Sequence, residues 1–210
     1  MEDLKRIEKN NIFRLMRESS EDDRTIRSVH FSSADENYEE AYAADFDDCF
    51  FSSCHIGECE FEKCYFSKTD FFKSDFSNTQ FADCCFKNCV FTDCKLIGAV
   101  FSDCVFDGCI FKNCMMDYSS FAASKLSRFT LENCSLRFSA VIKCTQRGLE
   151  VSSCVFEKTQ FQQTALKGVD FTDSRLGSIV ISDNFSELRG AIFTAAQAAQ
   201  LALLMGIKIK

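Results

Sequence analysis

The run Phe71-Phe72-Lys73-Ser74-Asp75-Phe76-Ser77-Asn78-Thr79-Gln80-Phe81-Ala82-Asp83-Cys84-Cys85-Phe86-Lys87-Asn88-Cys89-Val90-Phe91 repeats itself every five residues. A large apolar residue stands at Phe71, Phe76, Phe81, Phe86 and Phe91, and a small one precedes each by two places, as at Ser74, Thr79, Cys84 and Cys89. The pattern extends from Phe46 to Val141 and resumes after Gln146 from Val151 to Ile181. A period of five matches neither the 3.6 of a helix nor the 2.0 of a flat strand, so the chain must turn at each repeat to keep this stripe on one face. If each repeat is one side of a square coil, the large and small residues both point inward. Successive coils then stack through backbone hydrogen bonds at ~4.8 Å. About 28 repeats make about seven coils, a rod of ~34 Å. The register runs back irregularly through Ile26, Phe31 and Ala41, with Glu36 out of character, which adds room for an eighth coil.

Twenty residues separate equivalent sides, so Phe71, Phe91 and Phe111 are expected to stack as a core column. Each buried ring removes about 150 to 250 Å² from water, which makes the column the main source of stability. Thirteen of the 14 Cys fall on the small inward position; Cys85 alone does not. A free thiol packs there as a small hydrophobe. Cys49, Cys54, Cys59 and Cys64 occupy four consecutive sides, but the large residues between them would fill the middle of the coil, so neither zinc nor any other metal is expected. Thiols stacked one coil apart, as at Cys94, Cys114, Cys134 and Cys154, run parallel and are expected to stay free.

The 210 residues carry a net charge of −7 and 46% apolar composition, which reads as globular and argues against a nucleic-acid binder held by phosphate contacts. No apolar run reaches the ~18 residues that cross a bilayer, and the start, Met1-Glu2-Asp3-Leu4-Lys5-Arg6, lacks a signal-peptide pattern; a cytoplasmic location without membrane contact is the expectation. His30 and His55 are the two histidines and neither lies in a motif with a nucleophile or a metal-ligand partner, and no phosphate loop, metal-binding helix or nucleophile elbow is present. No catalytic residue and no cofactor are expected.

The repeat is disturbed once. Gln146 takes an inward slot, and on the adjoining side the small position becomes Phe129, Leu149 and Val169. Altered turn geometry accounts for this, and a partner notch at Gln146, Arg147 and Gly148 is the functional alternative.

These repeats resemble the pentapeptide repeat family, which implies an all-β solenoid, a right-handed quadrilateral β-helix. The chain divides into an N-terminal helical cap or arm with its linker at 1–24, the β-helix at 25–189 and a C-terminal segment at 190–210. Leu4, Ile7, Ile12, Leu15 and Met16 recur at helical spacing, so residues 2–18 read as an amphipathic helix. At the other end Thr194 and Gln197 form a capping box for a helix ending before Gly206. The stretch from Gly190 through Ile207 resembles the C-terminal segment of the quinolone-resistance, gyrase-protecting members. That resemblance implies a homodimer joined through Ala198, Leu201, Ala202, Leu204, Met205 and Ile207, with Leu201, Leu204 and Met205 covered mainly by a second chain. It also implies that the doubled rod imitates DNA and binds DNA gyrase or topoisomerase IV, protecting it from a quinolone or a toxin. Charge departs from that pattern: residues 1–45 hold 12 acidic against 7 basic side chains, leaving the rod near neutral at about −2. The alternative is a protein-interaction scaffold presenting Val90, Val100, Val105 and Ile110.

Overall fold

Each repeat contributes a short extended segment followed by a corner, and twenty residues complete a turn, so Phe46, Phe66, Phe86 and Phe106 lie in parallel register on one face. The computed structural model describes residues 5–8, 11–204 and 206–209. Within them the chain is a parallel β-solenoid of about eight turns, with a helix near each end. We number its faces along the chain by their inward residues. The first holds Phe46 to Phe106, the second Phe51 to Phe111, the third Ile56 to Met116 and the fourth Phe61 to Phe121.

Ring stacking fills the core. Phe71, Phe91 and Phe111 form the expected column with centroids 4.2 and 4.3 Å apart, inside a longer stack from Phe31. Parallel columns run through Phe46, Phe66, Phe86 and Phe106 and through Phe61, Phe81, Phe101 and Phe121. The corners oppose this gain. From Ser28 to Gly168 the residue two places after each inward one adopts a left-handed conformation even where it carries a side chain, as at Lys73, Asp83 and Asp93. That costs roughly 1–2 kcal/mol per corner. Burying a Phe contributes about 1.5–3 kcal/mol, and the corner N–H is also satisfied by the next coil, as when Lys73 donates to the Thr92 carbonyl at 3.0 Å. The large inward residue therefore carries each corner.

The small position does hydrogen-bonding work as well as packing. Cys84 Sγ donates to the Phe61 carbonyl of the coil below at 3.3 Å, as Thr79 Oγ1 does to Ile56 at 2.6 Å. Cys, Ser and Thr are interchangeable here because each is a small side chain with one donor. All 14 cysteines are free. Burial pushes the Cys49, Cys59 and Cys144 thiols up to about 11, so they remain protonated donors at neutral pH.

At the disturbed repeat the ladder runs on both sides of the corner without a break, although Arg128 and Gly148 keep the left-handed corner conformation. Lys125–Glu132 and Thr145–Ser152 are continuous strands of 8 residues, with Phe129 and Leu149 buried beside the corner. The Phe columns give way to Leu126, Leu131, Leu136 and Val141, around an apolar void of about 20 Å³ with no polar wall.

The N-terminus departs from the expected helix over 2–18. Lys5–Glu8 is a strand pairing with Val29–Ser32, and the helix, α1, spans Ile12–Glu21. Ile7 is the backbone register partner of Phe31 in that ladder, while Ile12, Phe13 and Met16 turn into the core. Two irregularities of the sequence find their reason here. Ala41 is small because Phe13 of α1 stands against Phe61, centroids 5.4 Å apart, in place of another rung of the fourth column. Glu36 is acidic because its carboxylate accepts the first free helix N–H groups, from Ile12 at 2.8 Å and Phe13 at 3.1 Å.

The upper end is closed by a short 3-10 turn at Ser186–Leu188 and by α2, Ala195–Leu204. The capping box forms, with Thr194 N–H donating to Gln197 Oε1 at 2.9 Å and Gln197 N–H to Thr194 Oγ1 at 3.2 Å. Gln197 Nε2 also donates to the Phe171 and Ser174 carbonyls, tying α2 to the last corner. Beside it, the buried Glu187 carboxylate accepts the Gln163 corner N–H at 2.7 Å and the Ser182 hydroxyl at 2.5 Å. Burial pushes this carboxyl up, but the donated bonds outweigh it and hold the group below its ordinary value. A depressed carboxyl stabilises the fold above its unfolded pKa of roughly 4.3 and loses that contribution as pH falls through the lower folded value. Glu187→Gln is expected to cost about 1.5 kcal/mol at pH 7. Urea unfolding should find wild type and variant converging as the pH drops below 4.3 toward the folded value.

Candidate protein-docking surfaces

Three outward columns of side chains line each face, at the positions before, after and two after the inward residue. The near-neutral charge of the rod separates once these columns are assembled. On the lower half of the fourth face stand Glu40, Glu60, Glu62, Asp83 and Asp103, all exposed, with Lys63 among them. Glu40 and Glu60 are direct register partners. Like charges placed opposite one another destabilise a sheet, so stability alone does not favour this arrangement. Lys63 binds Glu62 at 2.8 Å, and among the described residues Glu60 accepts only a neutral bond, from Gln80 at 3.3 Å. Where the face meets α1, an open depression of about 360 Å³ is lined by Arg17, Glu21, Glu40, Tyr42, Glu60 and Glu62.

The first face is divided differently, with Asp45, Asp47 and Asp48 below and Lys125, Arg128, Arg147 and Lys167 above. The notch residues lie in its upper half. Gln146 is half-buried and its carboxamide is fully engaged, donating to the Ala165 and Lys167 carbonyls and accepting the Leu149 N–H. It replaces the missing corner contacts. Arg147 and Gly148 are exposed, and Arg147 borders a shallow depression shared with Val105, Asp107, Ser127 and Arg128.

At the upper end the C-terminal residues separate. Leu201 is buried by its own chain at 6% exposure, which corrects the expectation that a second chain covers it: α2 lies over the last coil and Leu201 faces that coil. Ala202 is half-buried, while Ala198, Leu204 and Ile207 are exposed, beside exposed Ile192, Leu203 and Ile209. Met205 lies outside the described residues.

An exposed aromatic pair escaped the sequence reading. Tyr118 and Phe138 occupy left-handed corners of successive coils, where bulky side chains are unusual, and their rings stack at 5.1 Å with Lys158 Nζ 5.2 Å from the Phe138 centroid. Aromatic residues two places after an inward one would have signalled it. Among the described residues no three His, Cys, Asp or Glu side chains converge on a metal position, and no helix is long and apolar enough to cross a membrane.

A family model of pentapeptide repeats matches residues 51–88, and a model of the pentapeptide repeat region matches 84–148. No curated protein matches in sequence. Among solved structures, HetL, a pentapeptide repeat protein involved in heterocyst differentiation regulation from the cyanobacterium Nostoc, aligns at 11% identity over 88% of this chain and 97% of its own, with a TM-score of 0.55. Full-length QnrB1, a plasmid-mediated fluoroquinolone resistance protein, aligns at 17% identity over 85% of this chain and 100% of its own, with a TM-score of 0.51. At such identities the likeness is one of fold. Period, coil geometry and family models agree: the chain is a pentapeptide repeat protein.

Proposed function

We propose that this protein acts by binding, without catalysis, and that its fourth face docks in the basic DNA channel of a cytoplasmic type II topoisomerase, DNA gyrase or topoisomerase IV, reducing poisoning by a quinolone or a toxin. The observation that carries this reading is the stacked carboxylate set Glu40, Glu60, Glu62, Asp83 and Asp103, placed against the cost of like-charge register. The fluoroquinolone-resistance role of QnrB1, of similar fold, points the same way. The set covers about three coil spacings, ~14 Å, over which duplex DNA carries ~8 charges. The imitation is therefore local and confined to the lower half of the rod. A homodimer through exposed Leu204, Ile207 and their neighbours would double the face by placing a second copy at the upper end.

The test is DNA cleavage by purified gyrase in the presence of a quinolone. Added protein is expected to lower cleavage with increasing dose; unchanged cleavage and supercoiling would remove the reading. The scaffold alternative is favoured by one observation, the exposed Tyr118–Phe138 stack with Met115 nearby at 48% exposure.

A further inference from the structure

The first face carries a column whose chemistry is antisymmetric about its midpoint. Asp45, Tyr65, Cys85, Val105 and Lys125 are successive register partners on neighbouring coils. Cys85 is central, Tyr65 and Val105 lie one coil to either side, and Asp45 and Lys125 lie two coils out with opposite charge. The corner column beside it repeats the pattern, with Asp48 below and Arg128 above, each two coils from Asn88. Tyr65, Cys85 and Val105 are half-buried, whereas Asp45, Asp48, Lys125 and Arg128 are exposed. Asp45 and Lys125 form no ion pair among the described residues, Asp48 accepts a neutral bond from Ser28, and Arg128 is paired with Asp107 of its own chain at 2.7 Å while staying exposed. Cys85 is the one cysteine outside the core, since the other thirteen are buried.

We propose that this face binds a second copy of the same chain, antiparallel, about a two-fold axis that runs along the strands and passes Cys85. That operation reverses the rod axis and keeps each column opposite itself. It sets Asp45 against the partner's Lys125, Asp48 against the partner's Arg128 and Tyr65 against the partner's Val105, each twice, with the two Cys85 side chains meeting at the centre. Charge complementarity within one chain selects this occupant: a parallel copy would place acid on acid and base on base. Lys87 meets its own copy in this register and Arg27 meets the partner's Arg147; Asp47, paired with Arg27 at 3.0 Å, offsets the second contact, and the first is the cost that the Asp45 and Asp48 pairs must outweigh. The face is a single side of the rod, about 30 Å by 10 Å, or ~300 Å² per chain. A standard interface buries ~800 Å² per partner, so the dimer is weak and, being held largely by exposed charges, sensitive to salt. It is separate from association through the upper end, where the two Cys85 side chains would lie far apart.

The experiment treats the full-length chain with a short bismaleimide at low and at 0.5 M salt, and follows the cross-linked dimer by denaturing electrophoresis. Expected is a dimer band at low salt that disappears in Cys85→Ser and weakens severalfold at high salt. Asp48→Lys and Arg128→Asp should each lower the yield at least fivefold, and the double variant should return it to within twofold of wild type. Both replacements suit the corner, because Lys68 and Asp48 already adopt left-handed conformations in that column. Circular dichroism checks that each variant keeps its β signal. No Cys85-linked dimer at 100 µM protein, or a yield indifferent to the single reversals, or a folded double variant that fails to recover, would each overturn the proposal.

Discussion

Replacing Phe91 with Ala lowers the unfolding free energy by about 4 kcal/mol, the largest effect expected of a single substitution in this chain. Phe91 is fully buried, with Phe71 at 4.2 Å below and Phe111 at 4.3 Å above. Neither neighbour can move into the vacated space, because each is held at its own coil by the backbone ladder. The loss is therefore transfer free energy plus an uncollapsed cavity. Phe91→Leu should cost less than half as much, since the third face already runs on Leu96 and Met116 at equivalent positions. Urea unfolding followed by circular dichroism measures both; a cost for Phe91→Ala below 1 kcal/mol would mean that the columns do not carry the stability assigned to them.

Phe13→Ala should cost about 3 kcal/mol, through a different part of the molecule. Its ring stands in the space left by Ala41 and touches Phe61, so its removal opens the lower end of the fourth column. In a solenoid each coil contacts mainly its neighbours, so the damage should stay local. Hydrogen exchange should accelerate at Glu40–Tyr42 while Gln80–Ala82 and Val100–Ser102 remain protected. Uniform acceleration through all three strands would show that α1 supports the whole rod rather than its first coils.

The rod was legible in the sequence because its signal is local and redundant: Phe46 through Phe111 reveal the period many times over, and the coil follows from geometry. The ends were less legible because their partners lie outside the period. Ile7 pairs with Phe31, 24 residues away rather than 20, so helical spacing from Leu4 to Met16 overrode the strand at Lys5–Glu8. Glu36 and Ala41 read as defects until α1 stood against them. The upper end combines both outcomes. Thr194 and Gln197 announced their capping box, yet Asp170 bridges Ile192 at an offset of 22, which no five-residue count anticipates. Charge segregation was hidden for a simpler reason: a total over the rod adds the carboxylates of the fourth face to the cations of the first.

The central claim, that the acidic fourth face engages a topoisomerase in place of DNA, is tested most directly by comparing two forms of the protein in quinolone-induced DNA cleavage by purified gyrase. One is wild type; the other carries Glu40→Lys, Glu60→Lys, Glu62→Lys and Asp83→Lys. The last of these is compatible with its corner, because Lys63 and Lys143 hold left-handed conformations in the same column. Wild type is expected to reduce cleavage, and the variant, with its β signal intact, to need at least ten times the concentration for the same reduction. Equal protection by the two forms, or none by wild type, would contradict the account.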